Sequence, residues 1–131
     1  MRAEFSEAWC YGVLRTTRWP EGITCPRCGR ARVTTHSKSA GMCWRRYLCL
    51  GCRRTFTDLT GTPFARTNLS LTTWFRCLRL MGQGRSTSGL ARELQVKWDT
   101  SVQLQRRLAA ALARPGLVRE LREAAREARG A

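Results

Sequence analysis

Apolar residues recur along this chain with two periods, and the changes of period divide it. After Ser6, a residue suited to cap the free amides of a helix start, Ala8, Tyr11 and Leu14 fall on one side of a predicted first helix. Glu7 would sit favourably at the positive end of its dipole. Proline disfavours helix in the residue before it, so this helix should stop before Trp19-Pro20-Glu21-Gly22. Segments 31–36, 44–49 and 53–57 then read as short strands, the first two joined by a Ser-Lys-Ser-Ala-Gly turn. Residues 58–68 are rich in turn formers and lack periodicity, as expected of a connector.

Helical spacing returns after Ser70, where Leu71, Trp74, Phe75, Leu78 and Met81 share a stripe that Gly82 and Gly84 end. A second helix is expected over 86–95, with Leu90 and Leu94 a turn apart. A tight turn at Val96-Lys97 leads to a third over 98–113, with Ser101, Leu104, Leu108 and Leu112 inward. Helix, short turn, helix is the helix-turn-helix arrangement. Pro115-Gly116 interrupts it, and 117–129 forms a last helix with Leu117, Leu121, Ala124, Ala125 and Ala128 on one side, supported by Arg119–Glu123 and Glu123–Arg126 pairs. This tail is expected to dock on its own domain or remain solvated, with pairing to another chain as the alternative.

The fold class that follows is small α+β: a zinc β-ribbon, then a helix-turn-helix unit, with a short helix before and a helix after. The segments are 1–18, 19–60 (ribbon), 61–69 (connector), 70–114 (helix-turn-helix) and 115–131 (tail). A ribbon of this size needs a metal or disulfides to hold together. The cysteines supply the first. Cys25-Pro26-Arg27-Cys28 and Cys49-Leu50-Gly51-Cys52 are two Cys-x-x-Cys knuckles separated by 20 residues, and four thiolates at that spacing close a tetrahedral Zn²⁺ site with no vacant position. Such a metal is structural, whereas a catalytic zinc keeps one position open. A redox pair would need only one knuckle. The seven cysteines are odd in number and no apolar signal segment opens the chain, which favours a reducing, intracellular setting over a secreted disulfide framework. Cys10, Cys43 and Cys77 are expected as buried or partly buried free thiols.

Charge turns this scaffold toward a polyanion. Lys and Arg number 24, of which 22 are Arg, against nine acidic residues, for a formal +15. Residues 1–116 hold 20 basic and six acidic residues, so +14 of that lies upstream of the tail. Nucleic acid is the usual partner, because neutralising phosphates releases counterions. The rivals are an anionic membrane surface and a base-composition bias, though bias toward Arg does not itself suppress Asp and Glu. No stretch of about 18 apolar residues exists to span a bilayer.

The polar side of the third helix presents Thr100, Gln103, Arg106 and Arg107, with Lys97 at its entry. Gln pairs bidentately with adenine and Arg with guanine, while Thr and Lys hold phosphates. Asp99 suits the helix N-terminus instead. Arg45 and Arg46 on the second strand are expected as backbone contacts, and Arg85 joins them. Arg53 and Arg54, like Arg27 and Arg30, flank the knuckles, where compensating the metal centre's charge of about −2 and gripping phosphate are equally consistent readings. Duplex DNA is thus the expected partner. A homodimer and a separate catalytic subunit remain open, and a ribbon that binds RNA or protein is the alternative. Enzymatic chemistry is not expected: the single His36 has no nucleophile beside it, only two of the nine acidic residues are Asp, and no glycine-rich phosphate loop occurs.

Arg18-Trp19-Pro20-Glu21-Gly22-Ile23-Thr24-Cys25-Pro26-Arg27-Cys28-Gly29, the second knuckle, Phe56, Thr60-Gly61-Thr62-Pro63-Phe64 and Leu71-Thr72-Thr73-Trp74-Phe75, in this order, resemble the N-terminal zinc-ribbon and helix-turn-helix region of insertion-sequence transposases with a DDE-type catalytic domain. The resemblance covers about residues 5 to 113. It implies recognition of a mobile element's terminal inverted repeats in a bacterial or archaeal cytoplasm, at the nucleoid, by a chain whose nuclease lies elsewhere. Two positions depart from the pattern: Lys97 stands where such proteins commonly place a Ser cap, and Ser88 where an apolar residue is usual.

Overall fold

The computed structural model describes residues 6–36 and 42–128. Within them the order is α1 (Glu7–Arg18), β1 (Val33–Thr35), β2 (Arg46–Cys49), β3 (Thr55–Thr57), α2 (Leu71–Gly82), α3 (Thr87–Leu94), α4 (Trp98–Leu112) and α5 (Leu117–Glu127). The strands form one antiparallel sheet in the order β1-β2-β3, with Val33 opposite Cys49 and Tyr47 opposite Phe56. Each strand is shorter than the segment expected for it; before β3, Arg53 and Arg54 are used to close the second knuckle. The turn expected at residues 37–41 lies outside the described residues, and the last helix, expected to run to Arg129, ends at Glu127 with Ala128 extended as its C-cap.

Ser6 starts α1 by accepting the Trp9 N–H at 3.0 Å. Ser70 accepts from Thr73 in the same way at the start of α2, and Ser86 from Gly89 at the start of α3. Such caps are worth about 1 kcal/mol each. The buried side of α1 is Cys10, Tyr11 and Leu14, while Ala8 faces solvent, so the stripe is rotated from the expected one.

Two cores result. The larger gathers α1 with all four later helices around Leu14, Trp74, Phe75, Leu78, Leu104, Leu108 and Leu121, each 2% exposed or less. The smaller is the ribbon's own: Tyr47, Cys49, Phe56 and Cys25, with Trp19 edge-on to Tyr47 and Phe56 at 5.7 and 6.1 Å. Helix α5 docks on the larger, helical core through Val118, Leu121 and Ala125. Its expected pair of Glu123 with Arg126 forms at 2.7 Å. Arg119 turns away from Glu123 and donates to the Leu112 and Ala113 carbonyls, closing the end of α4.

Two carboxylates join the parts. Asp58 is fully buried and accepts from Arg15 Nε and a terminal guanidinium nitrogen (3.1 Å each), the Tyr47 hydroxyl (2.6 Å) and the Arg45 N–H (2.8 Å). Arg18 donates to the backbone carbonyls of Asp58, at 2.7 Å, and of Thr60, and its guanidinium lies 4.6 Å over the Trp19 ring. The carboxylate of Glu7 accepts the Leu71 and Thr72 N–H groups at 2.9 and 3.0 Å, so α1 caps α2. Two free amides at the positive end of a helix favour a carboxylate there.

Candidate metal centre and nucleic-acid surface

The two knuckles are built alike. In the first, Gly29 N–H returns to the Cys25 carbonyl (2.8 Å) and Cys25 N–H meets the Arg30 carbonyl (2.9 Å). In the second, Arg53 N–H returns to Cys49 (2.8 Å) and Cys49 N–H meets Arg54 (3.0 Å). The residue that closes each loop is left-handed: Gly29 at φ 77° and Arg53 at φ 64°. Glycine takes that conformation freely; arginine does so at a cost of about 1 kcal/mol.

These turns bring Cys25, Cys28, Cys49 and Cys52 together, with all four sulfurs within 4.8 Å of one another. Cys28 Sγ lies 3.5 Å from Cys49 Sγ, and Cys25 Sγ 3.8 Å from Cys52 Sγ. Four sulfurs at about 2.3 Å from a tetrahedral ion stand roughly 3.8 Å apart, so the cluster has the dimensions of a closed four-thiolate site. Backbone N–H groups favour the thiolates: Cys52 N–H points at Cys49 Sγ and Arg27 N–H at Cys25 Sγ, at 3.5 and 3.3 Å. The Cys52 N–H is the main influence bringing the Cys49 thiol down to about 6 against its burial. At Cys25 burial, the largest single influence, acts to raise the pKa, but the N–H groups of Cys28 and Arg27 together with the Cys52 and Cys28 thiols outweigh it and the net direction is down. Bound there, a metal would cross-link the two knuckles and do no chemistry.

Other cysteines divide by environment. Burial pushes the Cys77 thiol up to about 12, and burial with the nearby Glu7 does the same to Cys10. Cys43, expected to be at least partly buried, is exposed, because residues 42–44 form a bend outside the sheet; its carbonyl accepts from Arg15.

On the helical body, α3 ends at Gln95 in the left-handed conformation (φ 56°), and the Val96 N–H reaches back to the Ala91 carbonyl at 3.0 Å. This Schellman-type closure turns the chain directly into α4. Ser101 is buried and donates to the Thr87 carbonyl at 3.0 Å, while Thr87 donates to Gln105 at 2.6 Å, locking the two helices together. With Ser101, Leu104 and Leu108 inward, Asp99, Gln103 and Arg106 form the exposed crest of α4. Neither Gln103 nor Arg106 makes a side-chain hydrogen bond with the described residues. Lys97 occupies the N-cap position, exposed and without a capping bond. Ser88 is exposed on α3, so a polar residue there costs the core nothing.

The remaining candidates are spread over the molecule. Thr100 is half-buried on one flank of α4, beside Arg107, which donates to the Pro63 and Ala65 carbonyls at 3.3 and 3.4 Å and so also fastens the connector. Arg45, Arg53 and Arg54 are exposed on the ribbon. Arg46 is half-buried at the start of β2, with its Nε enclosed. Arg85 is drawn into an exposed ion pair with Glu93 at 3.0 Å. The Arg15, Arg18, Tyr47, Asp58 and Glu7 network was not foreseen from sequence; its one hint is an Asp directly after a strand in a chain that has only two.

Residues 5–55 match the family described as a transposase zinc-ribbon domain. Over 111 residues the chain is 32% identical to a protein of Halobacterium salinarum named as an uncharacterized protein in transposable element ISH50. That alignment takes in 84% of this chain but 37% of the relative, so the chain spans little more than a third of the length of that protein. No solved structure matches it. A zinc-ribbon family is consistent with the four-cysteine cluster, which is positioned to bind a metal. These likenesses support a transposase-like zinc-ribbon region in the N-terminal part of the chain, over residues 5–55.

Proposed function

We propose that the chain is a zinc-dependent, sequence-specific binder of duplex DNA that recognises the ends of a mobile element. The observation that carries this is the crest of α4, where Gln103 and Arg106 stand exposed with their donors unused among the described residues, on a helix held from behind by Leu104 and Leu108 and presented by a three-residue turn from α3. A helix so mounted fits a major groove as the second helix of a helix-turn-helix, with its crest against base edges. Lys97 and Arg107 then reach phosphates at its flanks, and the ribbon arginines Arg45, Arg46, Arg53 and Arg54 grip backbone farther along. The formal +15 supplies the long-range attraction.

On this reading the chain positions DNA and does not cut it. Several of its carboxylates are already used for structure: Asp58 by Arg15, Glu7 by α2, Glu93 by Arg85 and Glu123 by Arg126. Among the described residues, the only group of three or more metal-ligating side chains is the four-cysteine cluster. Cleavage would belong to a catalytic domain elsewhere, whether as the rest of a transposase or a separate subunit that this chain assists or regulates.

The test is a titration of the zinc-loaded chain against duplexes carrying terminal repeats, scrambled duplexes and RNA, over a range of salt. Gln103→Ala or Arg106→Ala should lose about 1–3 kcal/mol of discrimination between specific and scrambled duplex. Arg45→Ala should weaken both alike and flatten the salt dependence. Equal losses from all three substitutions would remove α4 as the reading element, and preference for RNA would favour the interaction-module alternative. Strand cleavage by this chain alone with Mg²⁺ would refute its non-catalytic role.

A further inference from the structure

Between the connector and α4 lies a cleft of about 130 Å³, lined among others by Arg66, Thr67, Trp74, Thr100, Gln103 and Arg107. No carboxylate lines it. Arg66 is left-handed at φ 59°, a conformation that suits glycine or asparagine and disfavours arginine. Its guanidinium makes no hydrogen bond or ion pair with the described residues, so the charged head is not what holds that backbone. Residues in such sparsely populated conformations cluster at ligand clamps and active sites.

The neighbouring groups fit one class of ligand. Arg107 is fixed against the connector by the Pro63 and Ala65 carbonyls, which brings a second guanidinium to the cleft beside Arg66. Thr67 Oγ1 accepts two donors, the Trp74 indole N–H at 3.3 Å and the Leu69 N–H at 3.2 Å, so its hydroxyl proton remains to be donated. Thr100 adds another hydroxyl from α4. Two cations and two hydroxyl donors with no acid form an acceptor-binding seat, and its position on the flank of α4 decides which acceptor. When a helix lies in a major groove its crest meets base edges, while its flanks meet the sugar–phosphate walls.

Resting on the duplex-binding reading, we propose that this cleft seats one backbone phosphate of the bound DNA, with Arg66 and Arg107 as its cationic contacts and the connector as part of the interface. The full zinc-loaded chain and its Arg66→Gln, Arg66→Lys and Arg66→Gly variants would be titrated with specific and scrambled duplex by fluorescence anisotropy from 50 to 300 mM salt, with melting curves for each. Losing one phosphate contact lowers the magnitude of the salt slope by about 0.9, which at 0.1 M salt is an affinity loss of about eightfold. Arg66→Gln and Arg66→Gly should show that loss on both duplexes. Arg66→Lys should retain most of the slope. Arg66→Gly, whose backbone suits this φ, should melt no lower than the parent, so its binding loss cannot be assigned to unfolding. If the parent binds duplex and all three variants match it, the cleft holds no phosphate. A change in specificity ratio at constant slope would show that Arg66 reads bases, which also overturns the proposal. Failure of the parent itself to bind duplex would instead strike at the functional reading on which this one rests.

Discussion

Replacing Asp58 with alanine should be among the most damaging single changes to this protein outside the metal cluster. The carboxylate is 0% exposed and the Arg15 side chain 16% exposed, so their interaction is little screened by solvent. Removal strands the guanidinium in the interior with the Cys43 carbonyl as its remaining described acceptor, and leaves the Tyr47 hydroxyl and Arg45 N–H without theirs. Breaking a buried pair from one side costs about 3–5 kcal/mol. A protein of this size has about 5–15 kcal/mol in total. With a urea m-value of about 1.5 kcal/mol/M, the midpoint should fall by about 2–3 M. The assay is urea denaturation of zinc-saturated protein followed by tryptophan emission and far-ultraviolet circular dichroism. Arg15→Met, Asp58→Asn and the double variant complete a cycle in which the double loss should be smaller than the sum by about 1.5 kcal/mol or more. A loss under about 1 kcal/mol for Asp58→Ala, or additivity in the cycle, would show that this network does not join the ribbon to the helices.

Thiol labelling should find one reactive cysteine, Cys43, in the zinc-loaded protein and five after chelation, as the four ligands become available; Cys10 and Cys77 should react only on global unfolding, which mass spectrometry after timed alkylation can read. Burial raises both Tyr11 and Tyr47 to about 12 from an ordinary value near 10, with nearby Glu7 adding to it at Tyr11 and the Asp58 hydrogen bond at Tyr47. The native state therefore holds these protons more tightly, and stability should be intact below pH 10 and decline as pH rises toward 12. Tyrosinate absorbance should stay low in folded protein at pH 10.5, and ordinary titration of either phenol near 10 without unfolding would contradict this. Lys97→Ser should stabilise α4 by about 0.5–1 kcal/mol by supplying the missing cap, while weakening duplex binding through loss of a phosphate contact; thermal melts and anisotropy separate the two effects.

Features legible in the sequence were those written in local spacing. The metal ligands follow from two Cys-x-x-Cys pairs, and α2 from a 3.6-residue apolar stripe behind Ser70. The rotation of α1 was misjudged because Ala8 and Cys10 differ little in their fitness for a core, and the choice between them was made by neighbouring helices. Arg15 and Asp58 are 43 residues apart and Glu7 and Leu71 are 64 apart, so no period announces either contact. Arg66 was invisible for another reason. Within a stretch of turn formers nothing marks which residue is left-handed, and arginine has no intrinsic preference for that conformation.

The hydrogen bond from Arg18 to the Asp58 carbonyl places the last residue of α1 against the first residue after β3. Most of the described chain between them forms the ribbon, which touches the helical body again at Cys43 and Trp44. Changes within the two knuckle loops can therefore be absorbed in the ribbon, without shifting α2, α3 or α4. The same geometry lets the two halves of the proposed binding surface be tuned separately, with the helices held in register while the four-cysteine finger changes its reach.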